Sequence, residues 1–163
     1  TYATSDLVRG YVEYLRNAGY YCTNNSKTDY NVADDRFVNS WDENSARAHY
    51  LNRPAGKPFF AIFNSMISHE SCMHRSIPSE QLRHRPEKVY LPPYCPDIPE
   101  MRHDWAQYYD KIEDMDTWVG KILKELEDNG LAENTICFTT GITAESLREA
   151  SALCMRRARR FPW

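Results

Sequence analysis

The chain has 163 residues and a mass of 19.1 kDa, with 42% hydrophobic and 26% charged residues, which suits one core of ordinary size. Lys and Arg number 20 against 23 Asp and Glu, a net charge of −3 with neutral His; that excludes a strongly basic nucleic-acid binder, and 11 Tyr with 4 Trp exclude a disordered polar chain. No apolar run approaches the ~20 residues of a membrane span, and Thr1-Tyr2-Ala3-Thr4-Ser5-Asp6 carries no basic or apolar leader, although a chain starting without Met says nothing of export.

Residues 5–18 read as a helix, with Ser5 as N-cap, Asp6 in the first turn and Leu7, Tyr11, Val12 and Leu15 at helical spacing. Gly19 takes the position after its end, and Tyr20–Thr23 reads as a short strand. Residues 24–40, rich in Asn, Asp, Ser and Thr, form a loop, followed by a shorter helix over 42–51 and a turn over 52–58. Phe59-Phe60-Ala61-Ile62-Phe63 is a continuous apolar run, as expected of a strand covered on both faces. Residues 76–99 hold six of the nine Pro and predict an extended, irregular connection. A long helix follows from Pro99 to Asp128, its apolar stripe running from Trp105, Tyr108, Tyr109 and Ile112 through Met115 and Val119 to Ile122, Leu123 and Leu126. The acidic residues of this helix, Asp110, Glu113 and Asp114 among them, are assigned to solvated faces, and His49, His84 and His103 to no role. Gly130 ends the helix, and Thr135–Thr139 reads as a third buried strand. Such alternation predicts an α/β three-layer sandwich with a mostly parallel sheet and helices 5–18 and 99–128 packed on it.

Ligands of such sheets bind beyond the carboxyl ends of the strands, where two polar segments fall, 24–31 and 64–74. In the first, Lys27 stands among amides, hydroxyls and a carboxylate and suits the charge of a sulfate or phosphate oxygen. In the second, His69 is a candidate general acid or oxyanion donor, with Glu70 or Ser68 to orient it. His69 and His74 lack the spacing of a helical zinc pair. The five Cys show no C-x-x-C spacing, so they indicate neither a zinc site nor a disulfide framework.

Several phrases carry a resemblance. Gly19-Tyr20-Tyr21-Cys22-Thr23-Asn24-Asn25-Ser26-Lys27, Lys57-Pro58-Phe59-Phe60 leading to Ser68-His69-Glu70-Ser71, Leu91-Pro92-Pro93-Tyr94, and Tyr108-Tyr109-Asp110-Lys111-Ile112 with Met115-Asp116 are similar to the central region of type I, formylglycine-dependent sulfatases. The heparan N-sulfatase-like branch of the alkaline phosphatase superfamily resembles the chain most. The resemblance implies a calcium-dependent hydrolase of sulfate esters or sulfamates whose nucleophile is a formylglycine made from Cys in a C-x-P-S-R motif. It implies a sulfated small molecule or glycan as partner, no nucleic acid, and often an exported location. By motif match, Lys27 resembles the Lys that contacts the sulfate, and His69 the His that binds sulfate or assists the leaving group. Asp29 stands where many relatives have a His and is left unassigned.

The departures are specific. No Cys is followed by x-Pro-Ser-Arg; Cys95 precedes Pro96-Asp97. Asp34-Asp35 lies on the wrong side of Lys27 for the family's early metal pair, and Thr139-Thr140-Gly141 replaces the expected Asp-His-Gly. Residues 145–163 carry five Arg against Glu145 and Glu149, net +3, which leaves −6 on residues 1–144. Permitted codons for 138–163 let an adjacent frame encode Asp-His-Gly-Gly. The expectation is therefore residues 1–138 as the central part of a sulfatase catalytic domain and 139–163 as a non-family basic tail from a frameshift, the chain alone being inactive. Two other readings remain: a non-enzymatic module whose Arg-rich tail engages an anionic partner, and a phosphodiesterase or phosphatase of the same superfamily.

Overall fold

The computed structural model describes residues 8–30, 35–73 and 75–140. Ser5, Asp6, Leu7, His74 and the basic tail beyond residue 140 lie outside the described residues. The chain divides into two compact units, Thr1–Asn64 and Ser65–Trp163.

In the first unit, helix α1 covers Tyr11–Asn17, shorter than the expected 5–18, because the chain turns helical only after Gly10. Gly10 is extended, its amide donates to Glu13 Oε1 at 3.3 Å, and a Cβ there would stand 3.0 Å from the Phe37 ring. The helix ends as its sequence predicts: Gly19, at φ +92°, donates to the Arg16 carbonyl, and Tyr20 to that of Leu15. Strand β1 then runs over Tyr21–Asn25, two residues further than the expected end.

The expected helix over 42–51 is not formed. Glu43–Asn44 is instead a short strand, β2, and Tyr50–Asn52 a single 3₁₀ turn. The acidic side chains decide this. The Asp42 carboxylate accepts the Cys22 amide at 2.8 Å and pairs with Arg16 at 3.1 Å. Glu43 accepts from Tyr21 Oη at 2.7 Å, the His49 amide and Asn52 Nδ2. A four-residue helix, α2, at Arg36–Asn39 interrupts the polar loop before it. Strand β3, Phe59–Phe63, falls where expected.

The three strands form one parallel sheet in the order β2-β1-β3, with Tyr21 opposite Phe59 and Thr23 opposite both Ala61 and Glu43. Alternation along β3 supplies both faces. Phe60 and Ile62 join Val12, Leu15, Cys22 and Trp41 on the α1 side, where Trp41 stacks on Phe60 at 6.2 Å. Phe59 and Phe63 meet Tyr50 on the other, Tyr50 stacking on Phe59 at 4.6 Å. The residues of β3 are all only partly buried, so each contributes less than the roughly 1.5–3 kcal/mol of a fully buried side chain, and the small sheet is packed on both sides without being fully covered. The architecture is α/β with a parallel sheet.

In the second unit, helix α3 spans Pro99–Asp128, the expected bounds, from Pro in its first position to Gly130 at φ +66°. Its thirty residues extend about 45 Å. The Pro-rich connection is extended, with 3₁₀ turns at Ser79–Gln81 and Pro86–Lys88. Polar side chains of α3 fasten it: Gln107, 0% exposed, accepts from the Ile77 amide and donates to the Cys72 and Arg75 carbonyls. His103 Nε2 meets the Ile77 carbonyl at 2.6 Å.

Two expectations fail in this unit. Asp110 is not on a solvated face but 5% exposed, and His84, assigned no role, is its partner. Thr135–Thr139 is not a strand. No ladder partner reaches it among the described residues, and Ile136 and Phe138 are 63% and 84% exposed. The sheet's third strand is β2.

Candidate functional site

Lys27 lies two residues past β1, at the carboxyl edge of the sheet. Its position is set by Asn24, 1% exposed at the end of the strand. Asn24 Nδ2 donates to the Lys27 carbonyl at 2.8 Å, and Asn24 Oδ1 lies 3.4 Å from the Lys27 amide that donates to it. The same Asn24 amide donates to Asn44 Oδ1 at 3.1 Å and accepts from Asn64 Nδ2 at 3.1 Å. Asn44 belongs to β2 and Asn64 directly follows β3. Three amides thus tie the ends of all three strands to the Lys27 turn, and Asn25 Nδ2 extends the lattice to the Ala46 carbonyl at 2.9 Å. The Lys27 side chain is 39% exposed, with Asp29 3.9 Å from its ammonium. An ion pair at that distance and exposure is weak and leaves the ammonium accessible to an anion from solvent.

His69 lies in the second unit, in the polar segment after residue 64. Its Nδ1 accepts the Ser71 amide at 3.2 Å and lies 3.0 Å from Ser71 Oγ. A ring nitrogen that accepts a backbone N–H carries no proton, so the imidazole proton sits on Nε2, on the exposed ring. That is the tautomer that donates to an oxyanion. Ser71 thus contacts the His69 ring and helps to orient it. Ser68, proposed for that role on sequence, points its hydroxyl at Met115 Sδ, 3.1 Å away. Ser71 also lines a cavity of about 600 Å³ with Ile67, Cys72, Ile77, Lys111 and Asp114. Lys111 is tied to Asp114 at 3.3 Å there, and burial pushes the Cys72 thiol up.

Among the described residues, one cluster has the residue types of a metal centre: His84, Asp110 and Glu113 in the second unit. Its donors are already committed. Asp110 Oδ1 accepts the His84 amide at 3.0 Å and meets His84 Nδ1 at 2.7 Å, while Oδ2 accepts the Arg83 amide at 2.9 Å. Arg83 Nε donates to Glu113 at 2.9 Å, and its guanidinium bonds Asp114 at 2.8 Å. Burial works to raise the Asp110 carboxyl, but the His84 and backbone hydrogen bonds and Arg83 outweigh it and hold it below the usual range. Calcium takes six to eight oxygen ligands, roughly; two carboxylates beside a resident guanidinium do not supply them. The cluster is a clasp between the Pro-rich connection and α3, and these residues do not fit a calcium ion.

The sequence singled out Lys27 and His69 as candidates but not Asn24, Asn44 and Asn64, whose amides hold the Lys27 turn. A signal was present only for Asn24 and Asn64, each standing at the carboxyl end of an apolar strand.

Two comparisons with known proteins bear on this geometry. The sulfatase family model matches residues 3–152. An ulvan-active sulfatase of Formosa agariphila is 36% identical over an aligned 168 residues, which cover 82% of this chain and 28% of the relative. No solved structure matches the chain.

Proposed function

The chain belongs to the sulfatase family, and on that footing we propose that it carries sulfate-recognising residues of an enzyme that hydrolyses sulfate esters or sulfamates, with a sulfated glycan as substrate. Since the chain spans 28% of the relative's length, the activity belongs to the whole enzyme. The observation that carries this reading is the asparagine lattice that fixes the Lys27 turn at the carboxyl edge of a parallel sheet. Lys27 would neutralise a non-bridging sulfate oxygen. His69 would donate its Nε2 proton in a hydrogen bond to a sulfate oxygen or to the departing oxygen or nitrogen as the bond to sulfur breaks. Ser71 keeps that proton on Nε2 by occupying Nδ1.

In the family, calcium and a formylglycine supply charge neutralisation and the nucleophile. Among the described residues, the His84, Asp110 and Glu113 cluster does not fit calcium, and no Cys of the chain lies in C-x-P-S-R. For the 163-residue chain we propose recognition without turnover. Residues 139–163 are proposed to come from an adjacent reading frame, which sequencing of the coding DNA decides by the presence or absence of Asp-His-Gly-Gly codons.

The test is incubation of the purified chain with an aryl sulfate and calcium, beside equilibrium binding of inorganic sulfate. The expected result is no catalysed sulfate release, with weak binding lost in K27A and in H69A. Calcium-dependent release contradicts the inactivity; sulfate binding indifferent to both substitutions contradicts the roles. Ulvan, named for the Formosa relative, is the first glycan to try with a full-length enzyme.

A further inference from the structure

Tyr20, Asp42 and Lys57 stand just before β1, β2 and β3, at the edge of the sheet opposite Lys27. With α1 they wall a groove of about 660 Å³. Arg9, Arg16, Arg36 and Lys57 line it, against Glu13 and Asp42. Residues 1–64 contain seven Lys and Arg and seven Asp and Glu, so the unit is neutral while this one groove is +2. The two carboxylates are engaged by the fold. Asp42 holds the Cys22 amide and Arg16, and Glu13 holds the Gly10 amide. Among the described residues, Arg9 and Lys57 make no ion pair; the Lys57 ammonium sits 5.9 Å from the centre of the Tyr21 ring.

We propose that this groove is an anion-binding exosite for a sulfated or carboxylated polysaccharide chain. The inference stands apart from the roles given to Lys27 and His69. The Arg9 guanidinium offers the forked donors that match sulfate and carboxylate oxygens, and the Lys57 ammonium adds a second cation. Asn17 and Tyr20 line the same groove and supply an amide for hydroxyls and a ring face for the apolar side of a sugar. A net +2 is small for nucleic acid, whose binders typically neutralise about six to ten phosphates. The five residues of β1, at about 3.3 Å each, put the groove roughly 16 Å from the Lys27 edge. A polymer held there is anchored without occupying the reacting edge.

The experiment measures binding of dextran sulfate, neutral dextran and a single-stranded DNA oligonucleotide to the full chain and to the double variant Arg9→Ser, Lys57→Gln. Arg47→Ser is the control, an exposed cation of the same unit outside the groove. The tail arginines are common to every protein tested, so differences report the groove. The expected result is salt-sensitive dextran sulfate binding that weakens about tenfold in the double variant and stays within about twofold in the control. Neutral dextran should not bind, and DNA binding should be unchanged by the double substitution. Unchanged dextran sulfate affinity in the double variant overturns the proposal, as does an equal loss for DNA, which would mark a general polyanion surface. If the double variant fails to fold by circular dichroism, amine acetylation of Lys57 in the native chain decides. Protection by dextran sulfate but not by dextran supports the exosite, and absence of protection overturns it.

Discussion

Asn24 shows how a single side chain joins fold to site. Its amide donates toward Lys27 and Asn44 and its carbonyl accepts from Asn64 and from the Lys27 amide, so Asn24→Ala removes four hydrogen bonds and should cost about 2 kcal/mol in urea unfolding. Asn24→Asp keeps the shape but reverses the donors, and is expected to cost at least as much at pH 7. Asp110 is the corresponding residue of the second unit. Asp110→Ala leaves the Arg83 and His84 amides without their acceptor and should cost about 2–3 kcal/mol at neutral pH. Its folded pKa lies below the ordinary carboxylate value, so its contribution is complete above about pH 4 and fades as pH falls through the folded value. The gap in urea midpoint between native chain and D110A should therefore narrow from pH 7 to pH 3; a gap that widens would contradict the clasp. Cys22 gives a third readout. It is fully buried beside Asp42, and burial above all pushes its thiol to about 11. It should resist thiol reagents at pH 8 until the chain unfolds.

Elements follow from sequence where the signal is local. Pro99 and Gly130 bracket α3 because a proline in the first turn and a left-handed residue after the last are satisfied by near neighbours. Gly19 does the same for α1. At φ +92° with open space around its missing Cβ, Gly19→Ala should cost about 1 kcal/mol of thermal stability through backbone strain alone. Gly10→Ala differs, because its Cβ presses on Phe37 at 3.0 Å, and it should cost more. The failures arise where the partner is remote. The apolar run at 135–139 has strand composition, but a strand exists only with a ladder beside it. Asp42 and Glu43 read as a helix start until Cys22 and Tyr21, some twenty residues earlier, claim their carboxylates. Asp110 falls on the polar side of a helical wheel, and periodicity says nothing of whether a second polar segment lies on that side. The placement of Lys27 beyond the carboxyl end of its strand was legible because it lies two positions past the strand, while the lattice behind it joins residues up to forty apart.

At the scale of the whole molecule, one family signature is distributed over two units, with the Lys27 turn in the first and the His69 turn in the second. Local bonds hold each: Asn24 for Lys27 and Ser71 for His69. The proposed roles give Lys27 and His69 each a contact with a sulfate oxygen. The direct measurement follows the Lys27 side-chain resonances and the imidazole carbon-bound proton resonances of His69 while sodium sulfate replaces sodium chloride at constant ionic strength. Sulfate recognition predicts a saturable, sulfate-specific shift of each signal. Signals that respond equally to chloride, or that do not respond to sulfate at all, would contradict it.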